Sequence, residues 1–418
     1  MNCRFCKKPL TTKFVDLINC PPSNAFLSPE HLNEPEEYFP LTIFVCDSCY
    51  LVQVDEYKKA KEIFNSDYVY FSSYSKSWVE HARRYVDSMI DRFGFNENSL
   101  VVEIASNDGY LLQHFKNKGV PVLGVEPTKN TANVAILKGI PTITEYFSTE
   151  FAEKLSNRRQ KANLLIGNNV LAHVPDIDDF VQGLKTALGN EGVITMEFPH
   201  LLRLVEDCQF DTIYHEHYSY LSFTTVKKIF ESHGLELFDV EEQPTHGGSL
   251  RIFAKHSDDT KKQISQRVGD MLAKEKAAGI TTLEYYQNFQ ERVNTIKYKL
   301  LSFLLEKKQA GKKVIGYGAA AKGNTLLNYA GVKGDDLVQF VIDAAPSKQG
   351  KYLPGSHIPV YPEAKIKEYR PDYIIIFPWN LKEEIVEQLS YVAEWNCEFV
   401  VFIPDTKLIK ASRIEKAA

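Results

Sequence analysis

The sequence predicts an α/β protein in which two nucleotide-type halves follow a small metal-binding module, and three observations carry that prediction. Two C-x-x-C pairs stand close to the start. A strand, tight turn, helix and second strand ending in an acid can be read through "SLVVEIASNDGYLLQHFKNKGVPVLGVEP". The same order recurs in "KKVIGYGAAAKGNTLLNYAG" followed by "VQFVID". A chain of 418 residues exceeds one ordinary core, and the expected domains are 1–56, 57–255 and 256–418.

Composition excludes several classes. Hydrophobic residues make up 44% and charged residues 25%, and no apolar run is long enough to span a bilayer. The first residues, "MNCRFCKKPL", lack the apolar core of a secretory signal, so a cytoplasmic location with reduced thiols is expected. A net charge of -5 disfavours a general nucleic-acid binder, while leaving room for a local basic pocket that holds phosphates.

Cys3 and Cys6 form the first C-x-x-C pair, and Cys46 and Cys49 the second. Each pair offers two thiolates from one tight turn, which suits a tetrahedral structural zinc and leaves no open position for catalysis. Disulfides or inert thiols are the alternatives, and a reducing compartment weighs against disulfides. The intervening segment carries Pro21, Pro22, Pro29, Pro35 and Pro40 and reads as an irregular stretch that the metal holds together. Cys20, Cys208 and Cys397 stand alone and read as packing residues.

The stretch from about Tyr57 to Phe93 reads as mostly helical, interrupted by "YVYFSSYSKSW". Leu100 to Ile104 then reads as a strand entering a turn whose Gly109 permits close backbone approach. Ala105 and Asn107 occupy places where glycines are expected, which disfavours a dinucleotide and leaves S-adenosylmethionine (SAM) open, since SAM has no pyrophosphate to cradle. The candidate cofactor residues are Glu103, Ala105, Asn107 and Gly109 in this turn, and Glu126 at the end of the next strand, placed for ribose hydroxyls. Asn168 and Asn169 join them from "ANLLIGNNVLAHVPD", a buried strand with polar residues and His173 at its carboxyl end.

After about His256 a helical stripe runs through Leu283, Tyr286, Phe289, Val293, Ile296, Leu300, Phe303 and Leu304 and reads as packing. Beyond it, Gly316, Gly318 and Ala321 match G-x-G-x-x-A, with Asp343 where a ribose-binding acid belongs. Lys322 at a helix start equally suits the diphosphate of a nucleotide sugar. Trp379 and Asn380, ending "YIIIFPWN", are placed to stack on a base and hydrogen-bond it, or Trp379 is core. Gly318, Lys322, Asn324, Asp343, Trp379 and Asn380 are therefore the candidate substrate residues.

Between the halves lies "FDTIYHEHYSYLSF", with Tyr214, His215, Glu216 and His217 in succession. A helical zinc-protease motif needs two His four apart, and Ser219 stands in the second place. On an extended segment His215 and His217 point one way and Glu216 the other. An all-core reading would bury two imidazoles and a carboxylate that each need a partner, so a proton-transfer site is expected. Tyr218, Tyr220 and Phe223 can be core.

The double C-x-x-C, "YFSSYSKSW", "EIASNDG", "NNVLAHVPD", "FDTIYHEHYSY", "HGGSLR", "GYGAAAKGNTLLN" and "FPWN" follow one another in this order. The chain thereby resembles the SAM-dependent C-methyltransferases that methylate ketosugar nucleotides in deoxysugar biosynthesis. The resemblance spans nearly the whole chain. It implies an N-terminal zinc-binding module, a central Rossmann-like class I methyltransferase domain, and a C-terminal Rossmann-like α/β domain that helps hold the nucleotide sugar. It also implies a reaction centre at Tyr214, Glu216, His217 and His173.

Carbon beside a ketone must lose a proton before it can be methylated, so a base and donors to the enolate oxygen are required. His217 is assigned as base, Tyr214 as donor to that oxygen, and His173 as a second donor or a positioner of the sugar. Glu216 holds the imidazole or binds a sugar hydroxyl. Alternation leaves His215 as the competing base, and the resemblance alone favours His217. C-3 of a dTDP-linked 4-ketosugar is the family expectation. The competing functions are a nicotinamide-dependent ketosugar reductase or dehydratase and a zinc-containing sugar-nucleotide sensor.

Overall fold

The computed structural model describes residues 1–59, 62, 71–157 and 161–411. The chain divides into two compact units: Met1–Thr12, Phe44–Leu202 and Glu216–Tyr285 form the first, and Lys13–Ile43, Arg203–His215 and Tyr286–Ala418 the second. Much of the helix expected from Tyr57, and the start of "YVYFSSYSKSW", lie outside the described residues. No described helix is long and apolar enough to cross a membrane.

The segment between the cysteine pairs is irregular, as expected, only over residues 21–38, where one short 3-10 turn, Pro29–His31, interrupts it. On either side it forms β1 (Thr12–Cys20) and β2 (Phe39–Val45), neighbours in a sheet. Alternation explains the difference, because Phe14, Leu17, Leu41 and Ile43 are buried along strands whose prolines sit at the ends or between them. After the second pair, β3 (Val52–Val54) begins.

The first unit's main helix, α1 (Lys76–Phe93), starts where the Ser75 hydroxyl accepts from the Trp78 amide and stops at Gly94 in a left-handed conformation. Its buried face, Trp78, Ala82, Tyr85, Val86 and Met89, recurs at three- and four-residue intervals. There follow β4 (Val101–Ile104), β5 (Val122–Val125), β6 (Thr142–Ile143), β7 (Ala162–Asn168), β8 (Leu188–Pro199), β9 (Ser219–Tyr220), β10 (Leu235–Gln243) and β11 (Ser249–His256). Seven of these build one sheet in the order β10-β11-β8-β7-β4-β5-β6, parallel except for β11, which runs against both neighbours. Parallel strands covered on both faces need continuous apolar runs, and β4 and β5 are buried at every residue. The order reverses between β4 and β7, so the carboxyl ends of these strands form the crevice where ligands bind in such sheets. The short β9 instead pairs antiparallel with β3.

In the second unit, α2 (Phe289–Gln309) buries Phe289, Val293, Ile296, Leu300 and Leu304, as the stripe predicted; Leu283 and Tyr286 precede the helix. The strands β12 (Val314–Tyr317), β13 (Val341–Ile342), β14 (Val360–Tyr361), β15 (Tyr373–Ile376), β16 (Glu398–Val401) and β17 (Lys407–Lys410) order as β14-β13-β12-β15-β16-β17. All pairs are parallel save β16 with β17. The second switch point therefore lies between β12 and β15.

Candidate active site

The turn leaving β4 has the shape of a glycine turn without its glycines. Ala105 (φ 53°) and Asn107 (φ 48°) both hold positive φ, and Gly109 follows at 76°. Asn tolerates this region and Ala pays roughly 1 kcal/mol for it. Gly109 has a second reason to lack a side chain, since a Cβ there would stand 2.4 Å from Ile140 Cδ1. Glu126 closes the turn from β5: one carboxylate oxygen accepts from the Asn107 amide at 2.8 Å, the other from the Thr128 amide at 2.8 Å and from its hydroxyl. Expected to face ribose hydroxyls, Glu126 thus has protein partners as well, and burial raises its pKa. Glu103 is 1% exposed, and its pKa is pushed well above the carboxylate range by burial, reinforced by Glu126 and Asp108.

Several buried polar atoms at these strand ends have no hydrogen-bond partner among the described residues: Glu103 Oε2, Ser106 Oγ, Asp108 Oδ1 and both amide atoms of Asn168. Buried polar atoms are nearly always satisfied, so this set fits a polar cofactor in the crevice. The segment before α1 borders the same turn, with the Ser72 amide donating to Asn107 Oδ1 at 2.9 Å and the Ser73 hydroxyl to Asp108.

Past β7, His173 ends a short 3-10 turn, Leu171–His173. Its Nδ1 donates to the Glu216 carbonyl at 2.7 Å, and burial lowers its pKa to about 4, so the ring is neutral at physiological pH. The His217 ring packs against it edge to face at 4.6 Å and lies 6.2 Å from Tyr220. His173, Glu216 and His217 are therefore together in the first unit.

Alternation fails at this motif. The chain runs through a 3-10 turn at Phe210–Thr212 and a further turn at 215–216, so His215 and His217 do not share a side. His215, 3% exposed, lies in the second unit, where its Nε2 donates to the Pro40 carbonyl at 3.1 Å and its ring meets Phe39 at 5.9 Å. Burial lowers its pKa. Tyr214 belongs to the second unit too.

Sequence reasoning missed a network at the end of β8. Glu197 is fully buried, and its oxygens accept from His81 Nε2 at 2.9 and 3.1 Å, Arg251 Nη2 at 3.0 Å and the Thr245 hydroxyl at 3.1 Å. Burial raises its pKa, but His81 and Arg251 outweigh burial and hold it at about 2. The His81 ring stacks on Trp78 at 4.9 Å, and Trp78 meets His246 at 5.1 Å. His246, at φ 54°, accepts from the Asn169 amide at 3.1 Å. The available signals were "HGGSLR", which supplies His246 and Arg251, and a lone carboxylate in the apolar run "VITMEF".

The second unit's crevice corrects two expectations. Gly316 lies inside β12 rather than in the turn, and a Cβ on it would sit 2.4 Å from the Phe377 ring. Gly318 (φ 91°) would meet Pro378 Cδ at 2.5 Å. The two glycines serve packing against Phe377 and Pro378, which removes the main support for a dinucleotide fingerprint. Trp379 is 7% exposed and core-like: its indole N–H donates to Asp211 Oδ2 at 2.8 Å, and Lys322 Nζ covers the ring at 4.3 Å. Such a ring is not presented for stacking on a base. Lys322 donates to Asn380 Oδ1 at 2.7 Å, and burial lowers its pKa to about 8. Burial raises Asp211 to about 6. Asn324 is fully buried, and its side-chain and main-chain oxygens accept from the Asn328 amide. Asp343 accepts from the Ala345 amide at 2.9 Å and faces Lys348 Nζ at 3.3 Å.

The four cysteines of the two pairs do converge. Cys3, Cys6, Cys46 and Cys49 place their sulfurs within 4.8 Å of one another, with Cys3 to Cys49 at 3.5 Å and Cys6 to Cys46 at 3.4 Å. Zn–S bonds of about 2.3 Å put sulfurs about 3.8 Å apart in a tetrahedron, so the set fits zinc. Cys20, Cys208 and Cys397 lie outside the cluster, and burial pushes each thiol up to about 12.

Three family models match stretches of the chain. The zinc binding domain model matches residues 3–64, a methyltransferase domain residues 78–240, and the C-methyltransferase C-terminal domain residues 244–404. C-methyltransferase NovU of Streptomyces niveus is 34% identical over 409 residues, covering 98% of this chain and 97% of that protein. Ubiquinone biosynthesis O-methyltransferase of Bartonella quintana is 25% identical over 99 residues, 23% of this chain and 40% of that one. The SAM-bound magnesium protoporphyrin IX methyltransferase of Synechocystis PCC 6803 aligns with 49% of this chain and 100% of its own at 15% identity, but its TM-score of 0.35 gives the likeness no weight. The likeness to NovU runs through nearly the whole of both chains at 34% identity, and on that ground the protein belongs to the C-methyltransferase family and is a SAM-dependent methyltransferase.

Proposed function

We propose that this enzyme methylates the carbon beside the ketone of a nucleotide-linked 4-ketosugar, at C-3 and on a dTDP carrier. The observation that carries the reading is the pairing of His217 with a His173 that is neutral and fixed by its bond to the Glu216 carbonyl. A neutral neighbour places no positive charge against an imidazole that must gain a proton. His217 takes the proton from the carbon, the electron pair moves onto the ketone oxygen, and Tyr214 donates to that oxygen as charge develops. Glu216 orients the site through its carbonyl and a sugar hydroxyl through its carboxylate.

SAM supplies the methyl group when bound. Glu103, Ala105, Asn107, Gly109 and Glu126 would hold it, with Asn168 and Asn169 bounding the site. As the sugar carbon takes the methyl, the methyl–sulfur bond of the cofactor would break and the ketone is restored, leaving S-adenosylhomocysteine; His217 then releases its proton to solvent. Lys322, Asn324, Asp343 and Asn380 are assigned to the nucleotide part of the substrate. Trp379 keeps a supporting role through Asp211 and Lys322. Structural zinc at the four cysteines completes the assignment.

The test is hydrogen exchange. A dTDP-4-ketosugar is incubated with enzyme in deuterated water, and the proton at C-3 is followed by NMR. Enzyme-dependent exchange that disappears in His217→Asn is expected. Unimpaired exchange and methyl transfer in that variant would remove His217 from the base role.

A further inference from the structure

Residues that are neither metal ligands nor reacting groups join the cysteine cluster to the histidine pair. Arg4 lies between the ligands Cys3 and Cys6. Its Nη1 donates to the Pro175 carbonyl at 2.7 Å and its Nη2 to the Val54 carbonyl at 2.6 Å. Its guanidinium carbon lies 5.4 Å from the centroid of the Tyr218 ring. Pro175 follows His173 by two residues and Tyr218 directly follows His217.

The second cysteine pair acts on the same stretch. Cys46 and Cys49 lead into β3, which pairs with β9, Gln53 opposite Ser219 and Val52 opposite Tyr220. The Val54 amide adds a bond to the Tyr218 carbonyl at 3.2 Å. Gln53, fully buried, ties the pairs together: its side-chain oxygen accepts from the Arg4 amide at 2.8 Å and its amide donates to Cys3 Sγ at 3.3 Å.

We propose that Arg4 is a positioning residue for methyl transfer: its fork onto Pro175 and Val54, and its contact with Tyr218, set the separation of His173 and His217. The inference rests on the catalytic reading of that pair. A planar guanidinium fixes the directions of its bonds to two carbonyls through a rigid fork, whereas an ammonium's donors rotate on a flexible stem. His173 sits in a single short turn, so its ring depends on what fixes the chain on either side. The metal-binding module thereby shares in the geometry of the reaction as well as in folding.

The test uses full-length, zinc-loaded protein and the variants Arg4→Met and Arg4→Lys. Zinc content, SAM affinity by calorimetry, the imidazole NMR signals of His173 and His217, and kcat and KM for methyl transfer are measured. Zinc content and SAM affinity are expected to stay within about twofold, while the histidine signals move and kcat falls roughly tenfold to hundredfold with little change in KM. Arg4→Lys, which keeps one bond, should recover part of the loss.

Unmoved signals with parental kcat would overturn the role of Arg4 alone. Moved signals with parental kcat would overturn it together with the catalytic reading of the two histidines. If Arg4→Met loses zinc, Arg4→Lys decides on the same readouts, and loss of zinc from both variants would make Arg4 a folding residue and end the proposal.

Discussion

Glu197→Gln is the sharpest test of the network at the end of β8. The carboxylate is fully buried and shared by His81, Arg251 and Thr245. Its folded pKa of about 2, against an ordinary value of 4.5, corresponds to about 3 kcal/mol of stability at neutral pH. The sign follows from the depressed value: the contribution is fully present above 4.5 and is lost as pH falls through about 2. The neutral amide keeps the shape but leaves Arg251 with Glu241, at 3.2 Å, as its remaining carboxylate among the described residues. Urea denaturation of parent and variant at pH 7 should therefore differ by about 3 kcal/mol, shrinking to about 2 kcal/mol near pH 3.5. Taking the difference cancels the other groups that titrate in that range. A penalty below about 1 kcal/mol at pH 7, or one that does not shrink in acid, would refute the account of Glu197 as an ionised, paired carboxylate.

Other expectations follow from the same structure. Trp379→Ala should cost about 3–5 kcal/mol in denaturation, because the ring is core; unchanged stability with weakened nucleotide binding would restore the base-stacking reading. Gly318→Ala should destabilise by more than about 1 kcal/mol, from its positive φ and the Pro378 contact, and a neutral result in thermal melts would show the turn to be open. Calorimetry should show SAM binding and no NAD binding, and tight NAD binding would overturn the packing role given to Gly316 and Gly318. Cys46→Ser should lower bound zinc and the melting temperature together, and full zinc occupancy in that variant would count against the four-sulfur site.

What the sequence made legible was local. Apolar runs, a glycine at a strand end and paired cysteines act over a few residues, so both α/β halves and the four cysteines that cluster were legible in the sequence. Ala105 and Asn107 show the limit of that approach, since the residue types departed from the glycine pattern while the backbone kept its positive φ. Contacts across long sequence separations were not legible. His81 and Arg251, 170 residues apart, meet on Glu197, and Trp379 is claimed by an aspartate 168 residues earlier. A G-x-G-x-x-A string likewise cannot report that its first two glycines make room for Phe377 and Pro378.

The two histidines of "YHEH" show why such gaps matter for function. Strand alternation made them equivalent, and equivalence left the base undecided. The turn at 215–216 breaks that symmetry. His215 spends its Nε2 proton on the Pro40 carbonyl inside the second unit, whereas His217 faces the His173 imidazole, which burial holds neutral. A base must present a lone pair where the proton is lost, and a ring anchored in a core by hydrogen bonding and burial is poorly placed to do so. The exchange experiment on His217→Asn, run beside His215→Asn, separates the two: with His217 as the proposed base, only the first should abolish exchange at the sugar carbon.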